Sequence, residues 1–284
     1  MNNDIRLFQY EKDKWVTYNQ LFETLKNVEA DKCDVLLLHT AMEFGIPDSK
    51  LKRKELTEIL LDLINKLGVK TIVFPTFTFS FANGEDYDVV KSRTPMGMLN
   101  EYARKREDAV RSLDPLLSVC VIGENKDLAC VTGNKSLGKG SFYDRLHQTD
   151  NVKIAFFGVD EILCNTHLHY VEEYVQVPYR YNLPMNGKII DKDGKVYEDT
   201  HELFVTYKSV IPSVPRDFYN ELEQENKMKR VMVGNASISC FDERTLFQKE
   251  LQWLEKDINC FIAERYDKYP LVKDFPYGNV KAVL

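Results

Sequence analysis

Apolar runs of five or six residues alternate along this chain with longer stretches whose apolar residues recur at helical spacing. Residues 13–30 read as an amphipathic helix, with Tyr18, Leu21, Leu25 and Val28 on one stripe. Asp34 to His39 (DVLLLH) predicts a strand that runs into the loop 39–47. From Ser49 to Leu67, Leu56, Ile59 or Leu60, Leu63 and Leu67 mark a helix that Gly68 stops. Lys70 to Phe74 is a second strand, ending in Pro75-Thr76-Phe77-Thr78. Strand, helix and strand with short connections form a βαβ unit, so these two strands should be parallel. Ligands of such sheets usually lie beyond the carboxyl ends of the strands, which singles out the loops 39–47 and 75–83.

Residues 84–110 predict a polar loop and then a helix over 96–107. Arg111 to Pro115 makes a tight connection into a strand from Leu117 to Ile122, closed by Gly123. A glycine-rich break at 132–142 leads through a short helix to a buried strand, Ile154 to Val159. After a short loop, Asp160 to Cys164, the residues Asn165 and Thr166 are candidates to cap a helix carrying His169, Glu172 and Glu173. The stretch 186–208 alternates as a hairpin does, with Asp193-Gly194 as its turn. Residues 215–230 predict a charged, solvated helix, and Val231 to Ala236 a strand and turn. A helix from Glu243 to Tyr266 closes the fold, with Leu246, Phe247, Leu251, Leu254, Ile258 and Phe261 inward, and the tail after Pro270 is expected to wrap the surface. The fold class is therefore α/β, with a mainly parallel central sheet flanked by helices and an added β-hairpin region.

Composition narrows the picture slightly. The chain has 284 residues, 44% apolar and 29% charged, ordinary for a soluble globular protein with a sizeable core. Its formal charge of −6 speaks against nucleic acid as a partner and suits a cationic ligand. The polar N-terminal stretch MNNDIRLFQYEKDKW lacks the apolar segment of a signal peptide, and no apolar run approaches a membrane span. Six cysteines without C-x-x-C spacing, mostly in apolar runs, read as reduced residues of a cytoplasmic protein.

The chemistry centres on residues 153–181. On a helix His169 and Glu172 share a face, an imidazole beside a carboxylate, while His167 points elsewhere. That pair suits general-base work, or is simply a solvated ion pair near a helix start. Gly133-x4-Gly138-Lys139 is close to a phosphate-binding loop, but Gly140 stands where the metal-binding hydroxyl belongs and the flanking strand and helix are short. His167-x-His169 would converge on a metal only in an extended segment, so no metal is expected. Nothing directs the Cys164 sulfur to an imidazole, and there is no G-x-S-x-G serine elbow.

Thr166-x-Leu168-His169-x-x-Glu172, after a strand ending in Gly158-Val159, resembles the signature of the aminoglycoside 3-N-acetyltransferase family. The resemblance extends in order along residues 30–257: the segment 38–45 (LHTAMEFG), Pro75-Thr76-Phe77-Thr78, Thr94-Pro95-Met96-Gly97-x-Leu99, Arg111-Ser112-x-x-Pro115-x-x-Ser118, Gly140-Ser141-Phe142 and Val233-Gly234-x-Ala236. One departure is Asp114, where the family commonly has histidine in R-S-x-H-P.

The resemblance implies a single acetyltransferase domain over 1–284, with residues 1–150 on the coenzyme A side and 151–284 on the acceptor side. It implies transfer of an acetyl group from acetyl-coenzyme A to an amino group of an amino sugar or aminoglycoside, without a covalent intermediate and without a metal. An ammonium must lose its proton before it can attack a thioester. His169 is the candidate base and Glu172 its orienting partner, with backbone N–H groups stabilising the oxyanion. His39, Thr40, Gly45, Pro75, Thr76, Thr78, Arg111, Ser112, Ser118 and Ser141 are the candidate coenzyme A residues, with Thr76, Thr78, Ser112 and Ser118 assigned to the pantetheine channel. Asp86, Asp114, Thr166 and Glu173 are the candidates for acceptor binding. The partners expected are a small-molecule amine, neither nucleic acid nor membrane, and a homodimer as one candidate assembly. An alternative is a family member that binds a sugar nucleotide or similar ligand without this catalysis.

Overall fold

The computed structural model describes residues 4–275; the end of the tail predicted to wrap the surface, 276–284, lies outside the described residues. The chain opens with a hairpin, β1 (Arg6–Glu11) and β2 (Lys14–Thr17), followed by α1 (Tyr18–Asn27). The helix predicted over 13–30 therefore starts at Tyr18. Asp13 takes a left-handed turn conformation (φ 61°), and the Thr17 hydroxyl accepts from Gln20 N at 3.3 Å to cap the helix. Next come β3 (Val35–Thr40), β4 (Ile46–Pro47), α2 (Arg53–Asn65), β5 (Thr71–Pro75), β6 (Tyr87–Asp88), α3 (Met98–Ala103), β7 (Ala109–Arg111) and β8 (Val119–Gly123). The second half holds α4 (Phe142–His147), β9 (Val152–Phe157), α5 (Glu161–Cys164), α6 (His167–Val175), β10 (Arg180–Ile190) and β11 (Val196–Thr206). It closes with α7 (Arg216–Gln224), β12 (Met228–Val233), β13 (Ala236–Asp242) and α8 (Glu243–Lys256).

A seven-stranded sheet, ordered β12-β13-β9-β3-β5-β8-β7, runs through the centre. Its parallel part is confined to β9, β3 and β5, and every outer strand pairs antiparallel. The α/β architecture is as expected, but the sheet is less parallel than the sequence suggests. After β5 the chain passes through α3 to the edge strand β7, and β8 turns back from β7 to insert between it and β5, so β8 is antiparallel to both. Its carboxyl end, Gly123, pairs with Thr71, and its start, Val119, pairs with Pro75. The segment 111–118 thus reaches the end of the sheet where the loops after β3, β5 and β9 lie, but from the amino end of β8.

Alternation along the inner strands sends side chains to two cores. Val35, Leu37, Val73, Ile154 and Phe156 join one; Leu36, Leu38, Ile72, Phe74, Ala155 and Phe157 join the other. The second core is covered by α1 and α2 through Leu21, Leu25, Leu56 and Leu60. The first is covered by α4, α6, α7 and α8 and the hairpin β10–β11, through Leu146, Leu168, Leu203, Phe218 and Leu246.

That hairpin pairs residue for residue from Arg180↔Thr206 to Ile190↔Val196, so it begins earlier than the 186–208 stretch suggests. The charged stretch 215–230 divides into α7, which buries Phe218, Tyr219 and Leu222, and the edge strand β12. The last helix ends at Lys256 rather than Tyr266, because Asp257 is extended and its carboxylate accepts from Asn259 N at 2.9 Å. Phe261 is buried nonetheless, edge-on to Phe218 at 5.3 Å. Helix α3 covers 98–103, shorter than predicted, because β7 then pairs with β8.

Candidate functional site

The carboxyl ends of β3, β5 and β9 lie side by side, with His39↔Phe156 and Thr40↔Phe157 in register. His39 stacks on Phe156 at 4.8 Å and 6°. Thr40 donates its hydroxyl to the Asn100 side-chain oxygen, and Asn100 Nδ2 donates to Pro75 O at 2.6 Å, joining the ends of β3 and β5 to α3. Gly158 (φ 72°) lets the loop after β3 pack on the end of β9: a Cβ there would lie 2.5 Å from Ala41 O. A cavity of about 510 Å³ opens over these ends, with His39, Thr40, Pro75, Met96, Asn100 and Thr166 on its wall. Burial pushes His39 down to about 3, so its ring is neutral, and His39 Nε2 has no hydrogen-bond partner among the described residues. A buried polar atom without a partner beside a cavity is a ready ligand contact.

The segment after β9 builds the second wall. Asp160 caps α5 by accepting from Ile162 N at 3.0 Å. The cap expected for α6 differs: Thr166 makes no capping side-chain bond, and Asn165 Nδ2 instead donates to Glu250 Oε1 at 2.8 Å. Within α6, His169 Nδ1 lies 2.7 Å from Glu172 Oε2, on the shared face the spacing predicts. Glu172 Oε1 accepts from the Tyr179 hydroxyl at 2.9 Å. Arg180, at the start of β10, places Nε 2.8 Å from Glu172 Oε2 as an ion pair, Nη2 2.9 Å from His169 Nδ1, and Nη1 in a 3.1 Å bond to Phe204 O.

These contacts fix the charge states. Burial disfavours a charged Glu172, yet Arg180, His169 and Tyr179 hold its carboxyl below the usual range. Burial and then Arg180 lower His169 below an ordinary histidine, with Glu172 opposing. An ionised carboxylate can only accept, so the bond to Glu172 puts the proton on Nδ1 and leaves the lone pair on Nε2; the Arg180 Nη2 contact with Nδ1 is then a charge beside the ring and not a hydrogen bond. His169 lies on the wall of a cavity of about 500 Å³, and Cys164 and Thr166 border both this cavity and the one over His39.

Of the predicted site residues, His39, Thr40, Pro75, Thr166 and His169 reach a cavity wall. The hydroxyls assigned to a pantetheine channel do not. Thr76 donates to Ser118 O (3.1 Å), Ser118 to Thr76 O (2.6 Å) and Thr78 to Pro115 O (3.0 Å), while Ser112 Oγ accepts from Val119 N (3.0 Å). The first three are buried crosslinks between the segments 75–80 and 112–119, and the Ser112 bond closes the turn from β7 into β8. Arg111 belongs to the same knot, donating to Thr76 O, Val89 O and Ser92 O with its guanidinium 5.3 Å over the Tyr87 ring. Ser141 caps α4 by accepting from Asp144 N at 3.2 Å. Gly45 (φ 154°) lets β4 meet β1, since a Cβ would lie 2.4 Å from Gln9 O.

The predicted acceptor carboxylates are also occupied. Asp114 is fully buried, accepts from Leu116 N and Leu117 N at 2.8 Å and from Ser136, and faces His201 Nε2 at 3.6 Å. Burial opposes its charge, but His201 and the two backbone donors keep it below the usual range. Glu173 is buried against Lys135 Nζ at 3.3 Å, and Asp86 accepts from Lys188 N at 3.1 Å away from both cavities.

Sequence reasoning missed Arg180, Tyr179, Asn100 and the hairpin wall. Arg180 lies beyond the end of α6 in a strand whose partner is found only on folding, so no local spacing announces it. His167 does point away from His169: its ring bridges Glu250 Oε2 (2.8 Å) and Glu243 Oε1 (2.9 Å), with His147 Nδ1 also 2.9 Å from Glu243 Oε1. Burial alone would lower His167, but Glu250 and Glu243 hold it up at about 9.

A family profile described as Aminoglycoside 3-N-acetyltransferase matches residues 37–255. Solved structures share the fold at low identity. Aminoglycoside acetyltransferase AAC(3)-IVa, as apoenzyme, superposes with TM-score 0.66 at 19% identity, covering 92% of this chain and 93% of that one. AAC-IIIb in a binary complex with CoASH gives 0.70 at 16%, covering 88% and 99%. AAC-VIa bound to sisomicin gives 0.67 at 16%, covering 84% and 97%. No curated protein sequence matches the chain. Among the described residues, no helix is long and apolar enough to cross a membrane.

Proposed function

The chain belongs to the aminoglycoside 3-N-acetyltransferase family and is an acyltransferase, and on that premise we propose that it moves an acetyl group from acetyl-coenzyme A to an amine, with His169 as general base oriented by Glu172. The carrying observation is the 2.7 Å His169–Glu172 pair on the wall of a cavity that shares Cys164 and Thr166 with its neighbour. In this mechanism the acceptor ammonium gives a proton to His169 Nε2. The freed lone pair attacks the thioester carbonyl; as the tetrahedral intermediate collapses the C–S bond breaks and the nitrogen gives up its second proton, which the departing coenzyme A thiolate takes up. Glu172 keeps the ring in the productive tautomer and stabilises the imidazolium, while burial and then Arg180 favour the neutral resting ring.

Coenzyme A occupies the cavity over β3 and β5, where His39 offers its unpartnered nitrogen and Thr40 and Pro75 form the wall. The acceptor enters the cavity walled by α5, α6 and the hairpin β10–β11. The two halves act as one domain: strands from Val35 to Asp242 share the central sheet, across the 150/151 division. The test is thiol release from acetyl-coenzyme A with a panel of amines. His169→Ala should lower turnover about 10²–10⁴-fold with an unchanged thermal transition. Full activity of this variant with a good acceptor refutes the mechanism.

A further inference from the structure

The wall of the cavity that His169 lines is formed largely by Phe79, Leu137, Ile162, Leu163, Leu203 and Phe204. Its ionisable side chains are Cys164, His169 and Arg180; no aspartate or glutamate lines it among the described residues. The carboxylates beside this wall in the chain are already committed: Asp160 pairs with Arg216, Glu161 with Arg216 and Arg230, and Glu202 lies 3.8 Å from Lys135. Glu172 is held by His169, Tyr179 and Arg180, Asp114 by two backbone N–H groups and Ser136, and Glu173 by Lys135.

A polycation would bury several ammonium groups against apolar carbon, with a guanidinium nearby and no counter-charge to meet them. An anionic body fares little better, because Arg180, the one cation on the wall among the described residues, is paired with Glu172. Resting on the proposed acceptor side, we propose that the substrate is a monoamine with an uncharged, partly apolar body, such as an amino sugar bearing an aryl or other apolar substituent, rather than a polyamine antibiotic or a sugar nucleotide. Such a body would lie against the hairpin and α5, and its single amine, neutral once deprotonated, would reach His169 Nε2. Leu163, 64% exposed, marks the rim.

The experiment compares kcat/KM, by thiol release at saturating acetyl-coenzyme A, for 4-nitrophenyl 2-amino-2-deoxyglucoside, unsubstituted glucosamine and sisomicin. The aryl monoamine should exceed sisomicin by about tenfold or more, and its rate should change little with added salt. Leu163→Glu, which places a carboxylate at the rim, should shift the ratio toward sisomicin. A wild-type preference for sisomicin, or a ratio unmoved in Leu163→Glu, overturns the assignment. His169→Ala separates the two ideas: if it abolishes transfer to whichever acceptor is best, the base assignment stands even where the acceptor class fails.

Discussion

Replacing Glu172 by glutamine removes one charge and keeps the shape of the side chain. In the native protein that charge accepts from His169 Nδ1 at 2.7 Å and from Tyr179, and neutralises Arg180 at 2.8 Å. Losing a charge-assisted hydrogen bond to the base costs about 1.5–3 kcal/mol, so the plateau of kcat/KM should fall roughly 10–150-fold. A second effect has a definite sign. Glu172 is the influence that raises His169, while burial and Arg180 lower it. With the carboxylate gone, Arg180 acts unopposed on a ring nitrogen 2.9 Å away. The shift of His169 is therefore downward, because the guanidinium beside the ring disfavours the imidazolium. The acidic limb of the kcat/KM profile, where the base must be unprotonated, should therefore move to lower pH even as the plateau falls. The assay is thiol release from pH 5 to 9 with one acceptor for all variants, which cancels the titration of the acceptor amine. Glu172→Gln combined with Arg180→Met should move the limb back upward. A limb that shifts upward in the single variant, or stays fixed in both, refutes this electrostatic account of His169.

Two stability predictions and one of binding accompany it. His167 is raised from 6.5 to about 9 in the folded state, so its contribution of about 3 kcal/mol is fully present below about pH 6.5 and is lost as pH rises through about 9. Urea unfolding from pH 6 to 10 should show that loss, and His167→Gln should be less stable at pH 6 and flatter across the range. Thr76→Val removes a buried donor from Ser118 O and should cost about 1–3 kcal/mol while leaving KM for acetyl-coenzyme A unchanged. A raised KM without loss of stability would return Thr76 to the coenzyme A site. His39→Leu should weaken coenzyme A binding by about tenfold in calorimetry, since it removes the unpartnered nitrogen from the cavity wall; unchanged affinity would place the cofactor elsewhere.

The sequence alone determined the βαβ start, the loops at the carboxyl ends of β3, β5 and β9, and the His169–Glu172 contact. Each of these depends on spacing within a short segment: alternation that separates the two cores, and three residues that bring side chains together on one helical face. The motifs also identified the family, because their order survives when single positions such as Asp114 change. What the sequence could not assign was the use of each motif residue. Thr76, Thr78, Ser112 and Ser118 are polar residues in loops near the site, which by pattern suits ligand contact. Folding β8 back antiparallel places them opposite one another, where they satisfy the backbone instead. Asp114 and Glu173 read as acceptor carboxylates until Leu116 N, Leu117 N, Ser136 and Lys135 are found beside them. Arg180 shows the converse. It stands eleven residues from His169, beyond helical reach, and only the pairing of β10 with β11 and the packing of that hairpin on α6 bring its guanidinium to the imidazole. Local spacing fixes which side chains share a face, but a buried charge or hydroxyl takes its partner from whichever segment the tertiary fold packs against it.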